Sequence, residues 1–427
     1  MPGYHIWTIG CQMNKADSEY MADHLEQAGY SYAGVPDEAE LVLLNSCVVR
    51  ESAETKVINK LNSLKSLKKK HPNVTIALTG CLVDSRTDDL KRRFPWVDVF
   101  FRPQQWEILH QWTNSHGMPG LRGAKELAAS TQPPITAFVP IIHGCNSFCS
   151  YCIVPYRRGR ARSRELREIC SEVEVLVERG VKEVTLLGQI VDLYGYDLPS
   201  SPDLADLLKE LNKIEKLLRI RFLTNHPNYM SNRLIEAVAS LEKVCEYICL
   251  PVQAGDSGIL DRMRRGYSME QYCGLVGQIR SAIPDVSLST DIIVGFPGET
   301  DEQFAKTMDV LRQLRFDRVH IAAYSPRPGT IASRRLADSV SAEQKELRRL
   351  QAESLQQRIA GEINADLVGK TVEVLVDAAK RGKWQGRTRG DKLVFFPSSA
   401  NPIGQLMRIR VEKSSPFALQ GVPEGQD

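Results

Sequence analysis

The sequence lacks any long apolar run. None of its 427 residues lies in a stretch that approaches the ~18 consecutive apolar residues that a membrane-spanning helix needs. The first residues, Met1-Pro2-Gly3-Tyr4-His5, do not form a basic segment followed by an apolar one, so no secretory signal is predicted. We therefore expect no membrane partner and a cytoplasmic location.

A strong charge of either sign is also lacking. The chain has 55 Lys and Arg residues against 52 Asp and Glu residues, for a formal net charge of +3. Any contact with nucleic acid must then come from local basic patches and not from the field of the whole molecule. The length and the apolar content of 42% are sufficient for two or three domains, each with its own core.

Cysteine is plentiful, but its pattern does not suggest disulfides. Ten cysteines without a secretory signal indicate reduced thiols that bind metal or are buried. Three of them, Cys145, Cys149 and Cys152, lie at spacings of four and three, and no second close pair follows as a zinc knuckle would require. Three thiolates can hold one 4Fe–4S cluster, with one iron left open for a ligand that is not protein.

The N-terminal third repeats a strand, a turn with a cysteine, and a helix. The carboxyl ends of parallel strands share one edge of a sheet, where ligands gather. Cysteines at three equivalent turns therefore predict a second iron–sulfur cluster. Any one of them alone could instead be an ordinary buried core residue. The strands and their cysteines are Ile6–Ile9 with Cys11, Leu41–Leu44 with Cys47, and Val74–Leu78 with Cys81.

The central part alternates six apolar strand patterns with amphipathic helices. This alternation predicts a parallel, barrel-like sheet with helices outside, and the loop of Cys145 follows the first strand at the rim where such barrels place their chemistry. Polar residues at other strand ends would line the same cavity. The strand candidates are Phe138–Ile142, Val184–Leu187, Leu218–Leu223, Tyr247–Val252, Leu288–Val294 and Val319–Ala323.

The C-terminal part changes from a helical to a strand-like period. Leu336–Asn364 is predicted as an amphipathic helix, and the alternating segments Thr371–Val376, Lys392–Phe396 and Leu406–Val411 predict a small β-barrel. Its cations are interleaved with an aromatic residue, as in proteins that read single-stranded RNA, while a solvated basic edge is the alternative. The residues expected to bind RNA here are Lys383, Trp384, Arg387 and Arg389.

A run of arginines directly follows the loop of Cys145, where a substrate must approach. Because phosphate contacts dominate the affinity of proteins for nucleic acids, this run favours RNA as the partner, against the alternative of a solvated charged face. The arginines expected to contact RNA are Arg157, Arg158, Arg160 and Arg162. We place an N-terminal Rossmann-like α/β domain at residues 1–118, a linker at 119–134, a partial (β/α)6 barrel at 135–365 and the small β-barrel at 366–427.

The motifs resemble a known family over essentially the whole chain. Cys-x-x-x-Cys-x-x-Cys with Tyr151 before its last cysteine resembles the radical S-adenosylmethionine (SAM) superfamily. The N-terminal T-I-G-C-Q-M-N, N-S-C-V-V-R-E and L-T-G-C-L resemble the methylthiotransferase family of that superfamily, and the wording C-Q-M-N is most similar to the branch that acts on isopentenyladenosine in tRNA. The C-terminal barrel resembles the TRAM domain, an RNA-binding module.

The resemblance implies a reaction and its components. It implies two 4Fe–4S clusters, with SAM on the open iron of the first and sulfur delivered from the second, which we call the auxiliary cluster. A methylthio group would be inserted at carbon 2 of N6-isopentenyladenosine next to the anticodon. The implied partners are tRNA, an external electron donor and a sulfur source for the auxiliary cluster, and the residues implied to bind the cofactor are Gln189, Gln253 and Asp291.

Other functions remain open at this point. Arg160, Glu165, Ile190 and Asn225 stand where the family usually has other residues, and they lie around the expected substrate cavity. The same chemistry on threonylcarbamoyladenosine in tRNA or on a ribosomal-protein aspartate is therefore an alternative. A non-catalytic iron–sulfur protein that binds RNA or transfers electrons is another, although an electron carrier would need a closed set of four cysteines.

Overall fold

The computed structural model describes residues 2–48, 51–84, 87–103, 105–116, 134–380 and 382–425. The chain divides into two compact units. The first comprises Met1–Gln132, His143–Asn146 and Cys152–Ala161, and the second comprises Pro133–Ile142, Ser147–Tyr151 and Arg162–Asp427. No helix within the described part of the chain is both long and apolar enough to span a membrane. Except for Pro134, the linker predicted at 119–134 lies outside the described residues.

The first unit is a parallel α/β sheet, as its repeated strand–turn–helix pattern predicts. The sheet has the order β2-β1-β3-β4-β5, and its central strand β3 is buried along its whole length between apolar helix faces. The strands are β1 (Gly3–Thr8), β2 (Ser31–Tyr32), β3 (Leu41–Ser46), β4 (Thr75–Gly80) and β5 (Val99–Phe100), and the helices are α1 (Gln12–Gln27), α2 (Glu51–Lys70), α3 (Asp88–Arg93) and α4 (Trp106–His116).

The second unit contains the predicted partial barrel. Its strands form two parallel three-stranded sheets, β10-β9-β6 and β11-β12-β13, which an isolated bridge between Ile220 and Val244 connects. The strands are β6 (Thr136–Pro140), β7 (Ile142–His143), β8 (Arg162–Ser163), β9 (Glu183–Leu187), β10 (Arg219–Phe222), β11 (Tyr247–Cys249), β12 (Ser287–Val294) and β13 (Arg318–Ala323).

Amphipathic helices follow these strands and bury one face each. Several begin at a side chain that accepts a hydrogen bond from the first turn, such as Ser268 and Thr300, which explains why they start where they do. The short helix α5 (Val154–Arg158) belongs to the first unit. The helices of the second unit are α6 (Leu166–Glu178), α7 (Leu204–Asn212), α8 (Asn232–Ser240), α9 (Ser257–Arg262), α10 (Met269–Ala282), α11 (Asp301–Leu314), α12 (Ile331–Arg335) and α13 (Ala342–Ala365).

The C-terminal segment closes into a barrel of five strands in the order β14-β15-β16-β18-β17. The alternation of the sequence predicted three of these strands, but β15 and β18 were missed because glycine interrupts the pattern of each at Gly386 and Gly421. The strands are β14 (Thr371–Lys380), β15 (Lys383–Thr388), β16 (Leu393–Phe396), β17 (Leu406–Ser414) and β18 (Leu419–Pro423).

The small barrel docks on the amino-terminal ends of the parallel strands of the same unit. Arg221 in β10 donates from Nη1 to the carbonyl oxygen of Arg389 at 2.7 Å and from Nη2 to that of Thr388 at 2.6 Å. Its Nε donates to Glu183 at the start of β9 at 2.9 Å. The docking face is therefore opposite the carboxyl-terminal edge, where the expected cofactor residues lie.

Candidate functional site

The register of the first sheet places the three N-terminal cysteines at one edge. Cys47 directly follows β3 and Cys81 directly follows β4, and Ser46 and Gly80, which precede them, are register partners. Cys11 lies three residues after β1, whose last residue pairs with Asn45 of β3. The amide of Cys81 donates to the carbonyl oxygen of Ser46 at 2.7 Å, which ties the two turns together.

Two fully buried asparagines fix this edge. The side chain of Asn14 donates to Asn45 Oδ1 at 2.8 Å, and the side chain of Asn45 donates back to the carbonyl oxygen of Asn14 at 2.8 Å. The thiol of Cys11 donates to Asn14 Oδ1 at 3.3 Å. We did not single out either asparagine from the sequence, although both lie within the motifs that contain Cys11 and Cys47, a signal that could have identified them.

A buried cation lies beside these thiols in the same unit. Arg158, at the end of α5, donates from Nη2 to Asp17 Oδ2 of α1 at 2.8 Å, and both side chains are buried. Burial raises the pKa of the Cys81 thiol, and the neighbouring Arg158 guanidinium opposes that rise. Burial also disfavours the charge of Arg158, but Asp17 and Cys81 together raise its pKa above its ordinary value.

The cysteine side chains of the described residues do not form a complete metal-binding site. Among the described residues, no group of three Cys, His, Asp or Glu side chains stands close enough together to hold a metal ion, and none of the ten cysteines forms a disulfide. The N-terminal edge nevertheless fits a cluster by its donor chemistry. It offers three thiols at adjacent turns, and beside them the Nη1 of Arg158 is buried without a hydrogen-bond partner among the described residues.

The loop of Cys145 is shaped by glycine. Gly144 has φ +75°, and a Cβ there would lie 2.1 Å from the carbonyl oxygen of Arg160, so the loop closes on itself only with glycine at this position. The amide of Cys145 donates to the carbonyl oxygen of Gly159 at 3.1 Å. Cys145 and Cys149 are buried and Cys152 is half-buried.

Arg265 contacts a cysteine that is predicted to hold the first cluster, and sequence reasoning did not identify this arginine. Arg265 is buried and donates from Nη1 to Sγ of Cys149 at 3.3 Å. Its Nη2 donates to the carbonyl oxygen of Pro251 at 3.2 Å, and its Nε donates to the hydroxyl of Tyr267 at 3.1 Å. Its position just after α9, with no motif around it, gave no signal in the sequence.

Of the residues expected to bind the cofactor, Gln189 and Gln253 follow strands of the second unit at the carboxyl-terminal edge, and Asp291 lies within β12. The amide of Gln253 donates to the carbonyl oxygen of Asp291 at 2.9 Å, which brings these two residues together. Gln253 has φ +72°, a conformation that costs energy for a residue other than glycine and is frequent at functional sites. Gln189 follows β9, and its Oε1 is buried without a hydrogen-bond partner among the described residues.

One departure from the family pattern, Asn225, contacts the segment that contains another, Ile190. Asp192, which follows Ile190, accepts a short hydrogen bond from the side chain of Asn225 and another from the amide of His226 at 2.5 Å. Burial raises the pKa of Asp192 to about 7. Burial, followed by the charge of Arg265, lowers the pKa of His226 to about 3, so this imidazole is neutral at physiological pH.

The arginine run does not form one exposed surface. Arg158 is buried against Asp17, which argues against a direct contact with RNA, and Arg157 is half-buried in an ion pair with Asp84 at 2.6 Å. Arg160 and Arg162 are exposed. A run of like charges in sequence does not show which side chains turn inward, and here the short helix α5 directs Arg158 inward.

The basic residues of the small barrel are similarly divided. Lys383 is exposed, and half-buried Trp384 donates from Nε1 to the carbonyl oxygen of Ser398 at 3.0 Å. Arg387 pairs with Asp391 at 3.1 Å, and Arg389 pairs with Glu246 of the parallel barrel at 2.7 Å. RNA contact by Arg389 would require its ion pair in the docking face to break.

Three family models match the chain in the order that the motifs predict. Residues 3–102 match the uncharacterized protein family UPF0004, residues 139–311 match the Radical SAM superfamily, and residues 366–423 match the TRAM domain. Among solved structures, the radical S-adenosylmethionine methyltransferase TsrM from Kitasatospora setae, with cobalamin and a 4Fe–4S cluster bound, is similar with a TM-score of 0.58. At 13% identity, over 78% of this chain and 74% of that one, this similarity supports the fold alone.

Curated relatives match from end to end. A protein of Dehalococcoides mccartyi (strain CBDB1) named tRNA-2-methylthio-N(6)-dimethylallyladenosine synthase is 50% identical over 98% of this chain and 98% of its own length. A protein of the same name from Roseiflexus sp. (strain RS-1) is 48% identical over 98% of this chain and 89% of its own length. The chain therefore belongs to the methylthiotransferase family of radical SAM enzymes, in the group of the tRNA-2-methylthio-N(6)-dimethylallyladenosine synthases.

Proposed function

We propose that this enzyme inserts a methylthio group at carbon 2 of N6-isopentenyladenosine, the dimethylallyl-modified adenosine next to the anticodon of tRNA. The observation that carries this proposal is the identity of 50% to a synthase of that name, which extends over 98% of the chain. The TRAM match at residues 366–423 supports tRNA as the substrate. The proposed compartment is the cytoplasm.

The chemistry explains why such a site needs its cofactors. Carbon 2 of adenine is an unactivated C–H position, for which acid–base catalysis is poorly suited. When bound, a 4Fe–4S cluster and SAM supply the one-electron chemistry that this position requires, while the protein orients the reactants and excludes water. Cys145, Cys149 and Cys152 would hold that cluster, and Arg265 would neutralise part of the charge at Cys149.

We assign three residues to SAM. Gln189 offers a buried, unpartnered Oε1 to a donor such as the SAM ammonium group, because an amide oxygen without a partner in a buried site favours such a ligand. Gln253 follows β11 and Asp291 lies within the neighbouring strand β12, and the amide of Gln253 donates to the carbonyl oxygen of Asp291, so that both would line the same cavity. The adenine itself must leave its stack in the tRNA loop to reach this edge.

We further propose that Cys11, Cys47 and Cys81 hold the auxiliary cluster that provides sulfur. The common sheet edge of these cysteines supports this role, because cluster ligands must converge. An external electron donor and a sulfur source complete the set of partners. For RNA we retain the exposed residues Arg160, Arg162 and Lys383 together with the half-buried Trp384, and we assign structural or cluster-related roles to the other four arginines.

Anaerobic reconstitution followed by a tRNA assay tests the function. The protein should take up about eight irons per chain, since each cubane cluster has four. With SAM and a reductant, it should add a methylthio group to an anticodon stem-loop that carries isopentenyladenosine, as measured by nucleoside mass spectrometry. Stem-loops with unmodified adenosine or with threonylcarbamoyladenosine should remain unchanged.

Matched cysteine variants provide the controls. Cys149→Ala should abolish SAM cleavage, whereas Cys273→Ala, which changes a half-buried cysteine on α10, should retain it. Modification of the threonylcarbamoyladenosine stem-loop in place of the isopentenyladenosine one would contradict the proposed substrate. A protein that binds iron but does not cleave SAM would contradict catalysis altogether.

A further inference from the structure

Arg158 occupies an unusual place for a residue in a basic surface motif. Its side chain is only 2% exposed, and its Nη2 reaches Asp17 at 2.8 Å, where the carboxylate is 4% exposed. Both residues belong to the first compact unit, which also contains Cys11 and Cys81. A guanidinium at this depth has no access to a phosphate of RNA.

A structural ion pair alone does not account for the surroundings of Arg158. The pair with Asp17 uses Nη2, while Nη1 is buried and has no hydrogen-bond partner among the described residues. A buried donor without a partner destabilises the folded state, because it has lost its hydrogen bonds to water and gained none. Buried ion pairs are often no more stabilising than apolar residues of the same volume, so stability offers little reason for this arrangement.

The thiols beside Arg158 offer such a reason. Cys81 packs with Ile153 and Tyr156 of the segment that carries Arg158, and Asp17, which holds the guanidinium, lies on α1, which begins directly after Cys11. The charge of the guanidinium opposes the rise that burial causes in the pKa of the Cys81 thiol. A 4Fe–4S cluster on three thiolates carries net negative charge, and that charge grows on reduction. Charge and hydrogen bonding at the sulfurs are among the factors that set the reduction potential of such clusters.

We propose that Arg158 is a positioning residue of the auxiliary cluster: anchored by Asp17, it offsets the charge of the cluster thiolates and offers Nη1–H to an anionic sulfur ligand on the open iron. This inference rests on the proposed function, since it requires a cluster on the N-terminal cysteines. It also gives one arginine of the motif after Cys152 a role in sulfur chemistry in place of a role in RNA binding.

The reduction potential of the auxiliary cluster tests this role. In the full chain, the triple variant Cys145→Ala, Cys149→Ala, Cys152→Ala removes the first cluster, so that electron paramagnetic resonance reports on the second alone. In this background, Arg158→Gln should disfavour reduction at least tenfold, which is a shift of about 59 mV to more negative potential for a one-electron couple. Arg158→Lys, which keeps the charge, should restore most of the potential.

Ligand binding tests the role of Nη1 separately. Methanethiolate, used as the probe, should bind to the oxidised cluster at least tenfold more weakly in Arg158→Gln and also in Arg158→Lys. Both variants lose the planar set of N–H donors of the guanidinium, because neither a glutamine amide nor a lysine ammonium reproduces its geometry. Titration of the cluster signal with the probe measures this affinity.

Two further variants separate this role from simple folding. Arg158→Gln leaves the Asp17 carboxylate buried without its partner, so the double variant Asp17→Asn, Arg158→Gln is measured beside it. Arg348→Gln changes an arginine that is equally buried, pairs with Glu299 in the second unit, and should leave the potential unchanged. Loss of iron from a double variant that still folds would also support the proposal.

The outcomes distinguish this inference from the function on which it rests. A potential and a methanethiolate affinity that stay unchanged in iron-loaded Arg158→Gln or in the double variant would overturn the role of Arg158 alone. Failure of the triple-cysteine background to bind any iron would overturn the auxiliary cluster itself, and this inference with it.

Discussion

Arg265 donates from Nη1 to the sulfur of Cys149 at 3.3 Å, in the middle of the three-cysteine loop. Both residues belong to the second compact unit, and the guanidinium is held by Pro251 and Tyr267, which follow β11 and α9. A cation is therefore fixed beside a proposed cluster ligand by residues of the barrel and not by the loop that carries the cysteines.

Replacement of Arg265 should make the first cluster harder to reduce. Loss of the hydrogen bond and the charge at Cys149 removes two factors that stabilise the reduced cluster, so Arg265→Gln should shift the midpoint potential to more negative values and slow SAM cleavage about tenfold or more. Electron paramagnetic resonance in a redox titration measures the potential. The exposed Arg233→Gln serves as the control, and equal potentials in the two variants would refute the role of Arg265.

Gly80 should be essential for the edge that carries Cys47 and Cys81. Its φ is +91°, and a Cβ would lie 2.2 Å from the carbonyl oxygen of Ser46 on the neighbouring strand. Gly80→Ala should therefore lower the free energy of unfolding by at least ~1 kcal/mol and reduce the bound iron by about half.

The control for this substitution is Gly34→Ala. A Cβ at Gly34 meets nothing within 4 Å, and this variant should keep both its stability and its iron. Chemical denaturation and iron analysis of the reconstituted proteins provide the measurements. Full iron content in Gly80→Ala would mean that the edge between β3 and β4 does not hold a cluster.

Much of this architecture could be predicted because strand periodicity and turn position determine it. The sequence pattern located the six strands of the two three-stranded sheets and three of the five strands of the N-terminal sheet, but not the two-residue strands β2 and β5. The three N-terminal strands that precede Cys11, Cys47 and Cys81 pair in a register that places their ends together. That Rossmann-like sheet, the partial barrel and the closed C-terminal barrel confirm the predicted fold class.

The direction of individual side chains could not be predicted in this way. Arg158 and Arg160 are two residues apart in one basic run, yet one is buried and the other exposed. Arg389 lies in a typical RNA-binding composition but pairs with Glu246, 143 residues earlier in the chain. Such pairings depend on tertiary packing between distant segments, which neither composition nor period encodes.

The exposed basic residues should govern tRNA affinity. Arg160→Gln and Lys383→Gln should each weaken binding of the tRNA and lower the salt dependence of its affinity by about one unit of slope, if each neutralises one phosphate. Filter binding at several salt concentrations measures both quantities. The control Lys209→Gln on α7 also removes an exposed cation, and it should leave the salt dependence of tRNA affinity unchanged. If Lys209→Gln lowered this salt dependence as much, the net charge of the protein and not these two positions would determine tRNA affinity.

The docking of the small barrel should depend on Arg221. Arg221→Met removes bonds to two carbonyl oxygens and leaves the Glu183 carboxylate, which is 6% exposed, without its close partner. The free energy of unfolding should fall by about 3–5 kcal/mol, as is typical when one member of a buried ion pair is removed. Arg233→Met, which breaks exposed pairs with Asp203 and Asp206, should lower the free energy of unfolding far less, because solvent screens exposed ion pairs.

Stability should fall in acid partly because of His226. Its pKa is about 3 in the folded protein and about 6.5 when unfolded, so between these values only the unfolded chain binds the proton. The folded state therefore loses up to ~1.4 kcal/mol per pH unit as the pH falls from 6.5 toward 3. His226→Asn can keep an acceptor for the amide of Asn228 and should flatten this slope.

Thermal unfolding between pH 4 and 7 measures the effect. Because the contribution of His226 is fully present above pH 6.5, the variant and the parent protein should differ in the slope of Tm against pH in acid and run parallel near neutrality. His320→Asn, at an exposed position on β13, should follow the parent throughout. If the Tm of His226→Asn also depended on pH as that of the parent protein does, the imidazole would not be held neutral by its burial near Arg265.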